Sequence, residues 1–219
     1  MIKTEQLFDL TKTQAEKLLA STTYPFEALD GLGEYIKELG KSLSADEYEE
    51  IFPSVWAHKS ASIARTACIQ APCIVGEGTE IRHCAFIRGN ALIGKNCVVG
   101  NSTELKNAIL FDGVQVPHYN YVGDSILGYK AHMGAGAITS NVKSDKTPVV
   151  IHTPNGDIPT DRKKLGAMLG DYAEIGCNSV LNPGTVIGKK ATVYPLSSVR
   201  GCVPENGIYK KQGEIAYRQ

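Results

Sequence analysis

Aliphatic residues recur at every sixth position along much of the chain. The run Ile63, Ile69, Val75, Ile81, Ile87, Ile93, Val99 and Leu105 keeps this beat without a slip. A looser continuation passes through Leu110, Val116, Val122, Leu127, Met133 and Thr139. The strict beat returns at Leu169, Ile175, Leu181, Ile187, Val193 and Val199. Six is neither the alternation of a flat strand nor the ~3.6-residue turn of a helix. It suits a solenoid of short strands, each turning one aliphatic side chain inward before a corner. Small residues just after the inward one, at Ala64, Gly76, Gly94 and Gly100, ease that corner. The pattern predicts an all-β solenoid, a hexapeptide-repeat parallel β-helix.

Three hexads make a coil of about 18 residues. The β-helix is expected over residues 54–202, with about four to five coils between residues 57 and 139 and two more after residue 164. Spacing alone leaves the hand of the coil open. Residues 1–53 lack the beat and read as an N-terminal helical cap over the first coil. Thr13 is placed to cap Gln14–Leu19, Gly40 to end Glu34–Leu39, and Ser44 with Glu47 to form a capping box ahead of Tyr48 and Ile51. Residues 140–164 interrupt the repeat. There Asn155-Gly156 suggests a hairpin with a type I′ turn, an arm projecting from the prism towards a neighbour. The tail, 203–219, is expected to leave the prism.

Charge narrows the function. Lys and Arg total 23 against 23 Asp and Glu, so no basic field recruits nucleic acid or an anionic membrane surface. No apolar run approaches the ~20 residues of a membrane span, and no signal-peptide core opens the chain. The six cysteines show no C-x-x-C spacing and read as reduced residues, several between aliphatic layers, which points to a cytoplasmic protein with no metal centre.

Candidate chemistry gathers where the beat loosens: Lys106, His118, Tyr121, Asp124, His132 and Asn141. An imidazole is the default general base near neutral pH. Pro117-His-Tyr-Asn-Tyr-Val-Gly-Asp124, Met133-Gly-Ala-Gly136 and Thr139-Ser-Asn141 together resemble one known acetyltransferase domain. It is that of bifunctional glucosamine-1-phosphate acetyltransferase/N-acetylglucosamine-1-phosphate uridyltransferases. Arg162-Lys-Lys-Leu-Gly-Ala167 is similar to archaeal sugar-1-phosphate nucleotidylyltransferase/acetyltransferases. The resemblance covers roughly residues 60–205. It implies a left-handed β-helix, a homotrimer, acetyl-CoA as acetyl donor, and an amino or hydroxy sugar, as a sugar-1-phosphate or nucleotide sugar, as acceptor.

Carried over residue by residue, the resemblance makes His118 the catalytic base and Tyr121 a sugar-phosphate contact. Arg88 and Lys106 hold phosphate, and Asn141 binds sugar. Ala135 contacts the thioester region of acetyl-CoA through its backbone, while Cys177 and Pro195 border the pantetheine arm. His132 and Val142 depart from bacterial members, which carry Asn and Tyr at these acceptor-facing positions. The nucleotidyltransferase half has no counterpart before residue 54. Two rival readings remain open. One is a zinc hydrolase using His83 and His118, which lacks the second histidine because position 123 is Gly. The other is a catalytically silent, trimeric sugar-phosphate-binding module.

Overall fold

The computed structural model describes residues 2–211 and 214–217, and they form the expected left-handed parallel β-helix. Each coil supplies up to three short strands that pair in parallel with those of the coils above and below. The first wall stacks Ser62–Ile63, Glu80–Ile81, Val98–Asn101, Gln115–His118, His132–Met133, Glu174–Ile175, Thr192–Val193 and Gly207–Lys211. The second wall holds Cys68–Ile69, Phe86–Ile87, Ile138–Thr139, Val180–Leu181 and Ser198–Val199. Val55–His58, Cys73–Val75, Ala91–Ile93, Ala167–Leu169, Thr185–Ile187 and Cys202–Val203 build the third. Glu104–Leu110 and Tyr121–Leu127 run across the corner and join the second wall to the third.

The hexad residues from Val75 to Val199 point inward and are at most 1% exposed. Ile63 and Ile69, in the first coil, remain half-buried. Corners are made by residues in the left-handed region. Between the first and second walls these are Cys84, Ser102, Tyr119, Gly136, Asn178 and Leu196, one per coil.

The segments outside the repeat differ from the sequence reading in four ways. Tyr48–Phe52 is a strand, antiparallel to Val55–His58, and not the start of a capped helix. Its side chains pair across a hairpin, and that ladder outweighs the Ser44 capping signal. The tail does not leave the prism at residue 203: Gly207–Lys211 adds a strand in register with Thr192 and Val193. The arm's turn is Pro154–Asn155, because Thr153 pairs with Gly156. Proline cannot take the positive φ that a type I′ turn requires at that position.

The fourth difference is the largest. The helical segment lies along the third wall and not over the open end of the first coil. The wall's outer face carries an unbroken apolar ladder, Trp56, Ile74, Leu92, Ile109, Ile126, Met168 and Val186, each in register with the next. All seven are buried. The helix Leu32–Ser42 covers the early coils, Pro25–Leu29 reaches Tyr121–Leu127, and the arm strand Val150–Thr153 covers the last ones. Gly40 is pressed so closely on the Trp56 ring that a Cβ would overlap it. The arm therefore docks on its own prism through buried Val149 and Ile151, and an Arg162–Asp30 ion pair ties its base to the helical segment. At the adjoining corner, Phe8 packs on Phe111 at 5.0 Å and Asp9 N–H donates to Asp171 at 2.8 Å.

Candidate active site

His118 ends a first-wall strand and stands at the corner leading to the second wall. The Gly136 N–H donates to the His118 carbonyl, Asn178 to Ala135, and Leu196 to Cys177. Ser102 donates in the same way to His83, and Tyr119 to Asn101. These bonds place His83, Asn101, His118, Ala135, Cys177 and Pro195 at equivalent corner positions of successive coils, about 4.8 Å apart. The predicted base and the three predicted acetyl-CoA contacts thus share one column. His118, His132, Ala135 and Cys177 line a single open groove of about 460 Å³, with Arg82, Gln115 and Pro117. His132 Nδ1 lies 2.9 Å from Glu174 Oε2 in the next coil, so this imidazole has a partner within the chain.

The backbone of the Gly134–Ala137 turn has one amide to spare. Gly134 N–H donates to Ile175, Gly136 to His118 and Ala137 to Gly134, while Ala135 N–H meets no acceptor among the described residues. Asn120 holds this turn against the His118 corner. Its Oδ1 accepts from His118 N–H at 3.1 Å, and its Nδ2 donates to Gly134 O at 2.8 Å and Ala137 O at 3.0 Å. Sequence reasoning did not single out Asn120. The signal was there: it occupies the buried corner position that is Thr103 one coil below and Ala137 one coil above, and it alone can bridge both.

Tyr121, Lys106 and Asn141 lie round the corner, on the second wall. Lys106 pairs in register with Gly123, and Arg88 N–H donates to Leu105 O, so the two predicted phosphate cations do stack in adjacent coils. Both, however, have carboxylate partners: Arg88 Nη1 to Glu104 at 2.7 Å, and Lys106 Nζ to both oxygens of Asp124 at 3.0 Å. Glu104 holds the Arg88 guanidinium above its ordinary value. Asn141 Nδ2 donates to Asp124 at 2.6 Å and to the Tyr121 hydroxyl at 3.2 Å. The Tyr121 ring folds back over Gly123, where any Cβ would strike the hydroxyl. Burial first, then the charges of Asp124 and Glu104, push that hydroxyl above the usual tyrosine value. It stays protonated at neutral pH.

Within one chain the predicted residues therefore form two groups on either side of one corner. Among the described residues no cluster of three or more His, Cys, Asp or Glu side chains is arranged to hold a metal ion, and His83 Nδ1 faces Thr66 at 3.1 Å. No helix among them is long and apolar enough to cross a membrane.

This is a hexapeptide-repeat β-helix with a candidate site at one corner, and its sequence relatives are of the kind the motifs suggested. Residues 69–151 match the family model described as the GMPPB C-terminal domain. The bifunctional sugar-1-phosphate nucleotidylyltransferase/acetyltransferase of Sulfurisphaera tokodaii is 32% identical over 103 residues, which cover 47% of this chain and 26% of that one. The bifunctional protein GlmU of Methanococcus vannielii is 28% identical over 227 residues, covering 93% of this chain and 53% of its own. The chain thus spans between about a quarter and about half the length of these curated relatives. Among solved structures, the acetyltransferase domain of PglB from Neisseria gonorrhoeae, in complex with acetyl coenzyme A, matches 75% of this chain and 58% of that one at 17% identity, with a TM-score of 0.37.

Proposed function

We propose that the protein transfers an acetyl group from acetyl-CoA to an amino or hydroxy sugar, as a sugar-1-phosphate or nucleotide sugar, with His118 as general base. One observation carries this reading: His118 and the unpartnered Ala135 N–H line the same groove. A base and an oxyanion donor side by side are what acyl transfer needs. The relatives' printed activities point the same way.

In the proposed reaction His118 accepts the proton of the attacking amine or hydroxyl as the new C–N or C–O bond forms at the thioester carbon. Ala135 N–H stabilises the oxyanion, a contribution of about 3 kcal/mol. The C–S bond then breaks, and the imidazolium returns its proton to the departing thiolate. Cys177 and Pro195, farther along the same column, border the arm of the donor. Arg88, Lys106, Tyr121, His132 and Asn141 bind the acceptor. Because the two groups flank one corner and the third wall is covered by the chain itself, the first and second walls are the faces left for neighbours in a homotrimer.

The test is consumption of acetyl-CoA in the presence of a panel of amino- and hydroxy-sugar 1-phosphates and nucleotide sugars, followed by thiol release and product mass. One CoA released per acetylated sugar supports the reading. Intact acetyl-CoA with every acceptor, together with measurable sugar-phosphate binding, would favour the silent binding module.

A further inference from the structure

Asp124 is 5% exposed and sits at the corner between the second and third walls, with φ +48. Four hydrogen bonds converge on its carboxylate: two from Lys106 at 3.0 Å, one from Asn107 at 3.0 Å and one from Asn141 at 2.6 Å. Its backbone is fixed as well. Gly166 N–H donates to Asp124 O at 2.9 Å and Leu165 N–H to Asn141 O at 3.0 Å, where the arm rejoins the prism. A Cβ on Gly166 would overlap Gly123 O and Ser125 Oγ, so the returning arm packs closely on the backbone either side of Asp124.

The chemistry of the partners then sets a polarity. An ionised carboxylate accepts and never donates, so Asn141 must turn its amide nitrogen towards Asp124. The other hydrogen of that nitrogen goes to the Tyr121 oxygen. Both amide hydrogens are spent inside the chain, and Asn141 Oδ1 is left as an acceptor. The Tyr121 hydroxyl, already accepting, keeps its own proton to donate. We infer that Asp124 is a positioning residue of the acceptor site, fixing one outward acceptor and one outward donor side by side, the complement of a sugar hydroxyl. Lys106 then serves first to neutralise Asp124, with two of its three N–H groups committed, and contributes at most one to a substrate anion. The inference rests on the acceptor site proposed above.

The experiment is a double-mutant cycle between Asp124→Asn and Asn141→Ala, with glucosamine 1-phosphate as the acceptor probe. Asp124→Asn frees the Asn141 amide to flip and is expected to raise the acceptor KM by about tenfold or more, with the acetyl-CoA KM unchanged. In the Asn141→Ala background the same change should shift the acceptor KM by about twofold or less, since Asp124 acts through Asn141. Equal factors in both backgrounds, or no change in the first, overturn the inference. A second readout does not depend on turnover: exchange of the Asn141 side-chain amide protons, followed by NMR. These protons should be protected in the wild type and exchange fast in Asp124→Asn, and unprotected wild-type protons also overturn it. If the wild type fails to acetylate the probe, the acceptor reading is what fails for that sugar, and the exchange measurement alone decides the role of Asp124.

Discussion

Burial pushes the Cys73 and Cys97 thiols up to about 12 and Cys202 to about 11, whereas Cys68, Cys84 and Cys177 lie exposed. Only a thiolate attacks a disulfide reagent at useful rates. In the native protein near pH 7.5, such a reagent should label Cys68, Cys84 and Cys177 and spare Cys73 and Cys97 until the chain is denatured. If Cys177 borders the acetyl-CoA arm, acetyl-CoA should slow its labelling and leave Cys68 untouched; equal protection of both would argue against that placement. The expectation of cysteines between aliphatic layers held for Cys73 and Cys97. It missed Cys84 and Cys177, which occupy corners where side chains turn outward. Asp171 gives a second residue-scale test. Desolvation raises its carboxyl above the ordinary value despite N–H donors from Tyr129 and Asp9. The folded state therefore holds this proton to higher pH than the unfolded chain does. Its stability contribution is greatest below the ordinary carboxylate value and is lost as pH rises through the folded one. The thermal midpoint gap between wild type and Asp171→Asn should accordingly be wider at pH 4 than at pH 7. A narrower gap at pH 4 would mean that the hydrogen bonds outweigh burial.

At the scale of elements, the third wall behaves as a second core. Ile109 points away from the prism axis, yet it is fully buried beneath the covering segments. Ile109→Ala should thus cost about 2–5 kcal/mol, as for an inward residue, and urea unfolding measures it; a cost of about 0.5 kcal/mol, typical of a surface site, would mean that the covering segments do not pack there. Gly40→Ala should cost about 1–3 kcal/mol, because the new methyl meets the Trp56 ring. The inward hexads were legible in the sequence because every coil repeats the same demand for one aliphatic residue. The covered wall was not, although Ile74, Leu92, Ile109 and Ile126 recur at near-coil spacing beside the inward residues, and Met168 and Val186 resume that spacing after the insertion. An outward apolar column says that something lies on a wall without saying what. Tyr48–Phe52 was misread because a capping box is local, whereas pairing with Val55–His58 is decided by the hairpin as a whole. Of the groove's lining residues, His118, His132, Ala135 and Cys177 were reached through the family resemblance, whereas Arg82 and Gln115 were not. Asn120 and Asp124 were not assigned roles, since their hydrogen bonds run between coils and spacing does not display them.

For the whole molecule, the third wall is covered by the chain's own segments, so the proposed homotrimer would assemble through the first and second walls. Light scattering at micromolar concentration should return three copies of the 23.6 kDa chain. A monomer there would leave the two groups of site residues apart, on separate faces of one prism. The most direct test of acetyl transfer at this corner is the comparison of wild type with His118→Ala, by mass-resolved transfer from acetyl-CoA to the best acceptor of the panel. His118 is exposed and packs little core, so the variant should keep its assembly, its thermal midpoint and its affinity for acetyl-CoA. Its transfer rate should fall by about 10²–10⁴-fold, the usual contribution of a positioned base. Transfer at the wild-type rate by a folded His118→Ala protein would contradict the assignment.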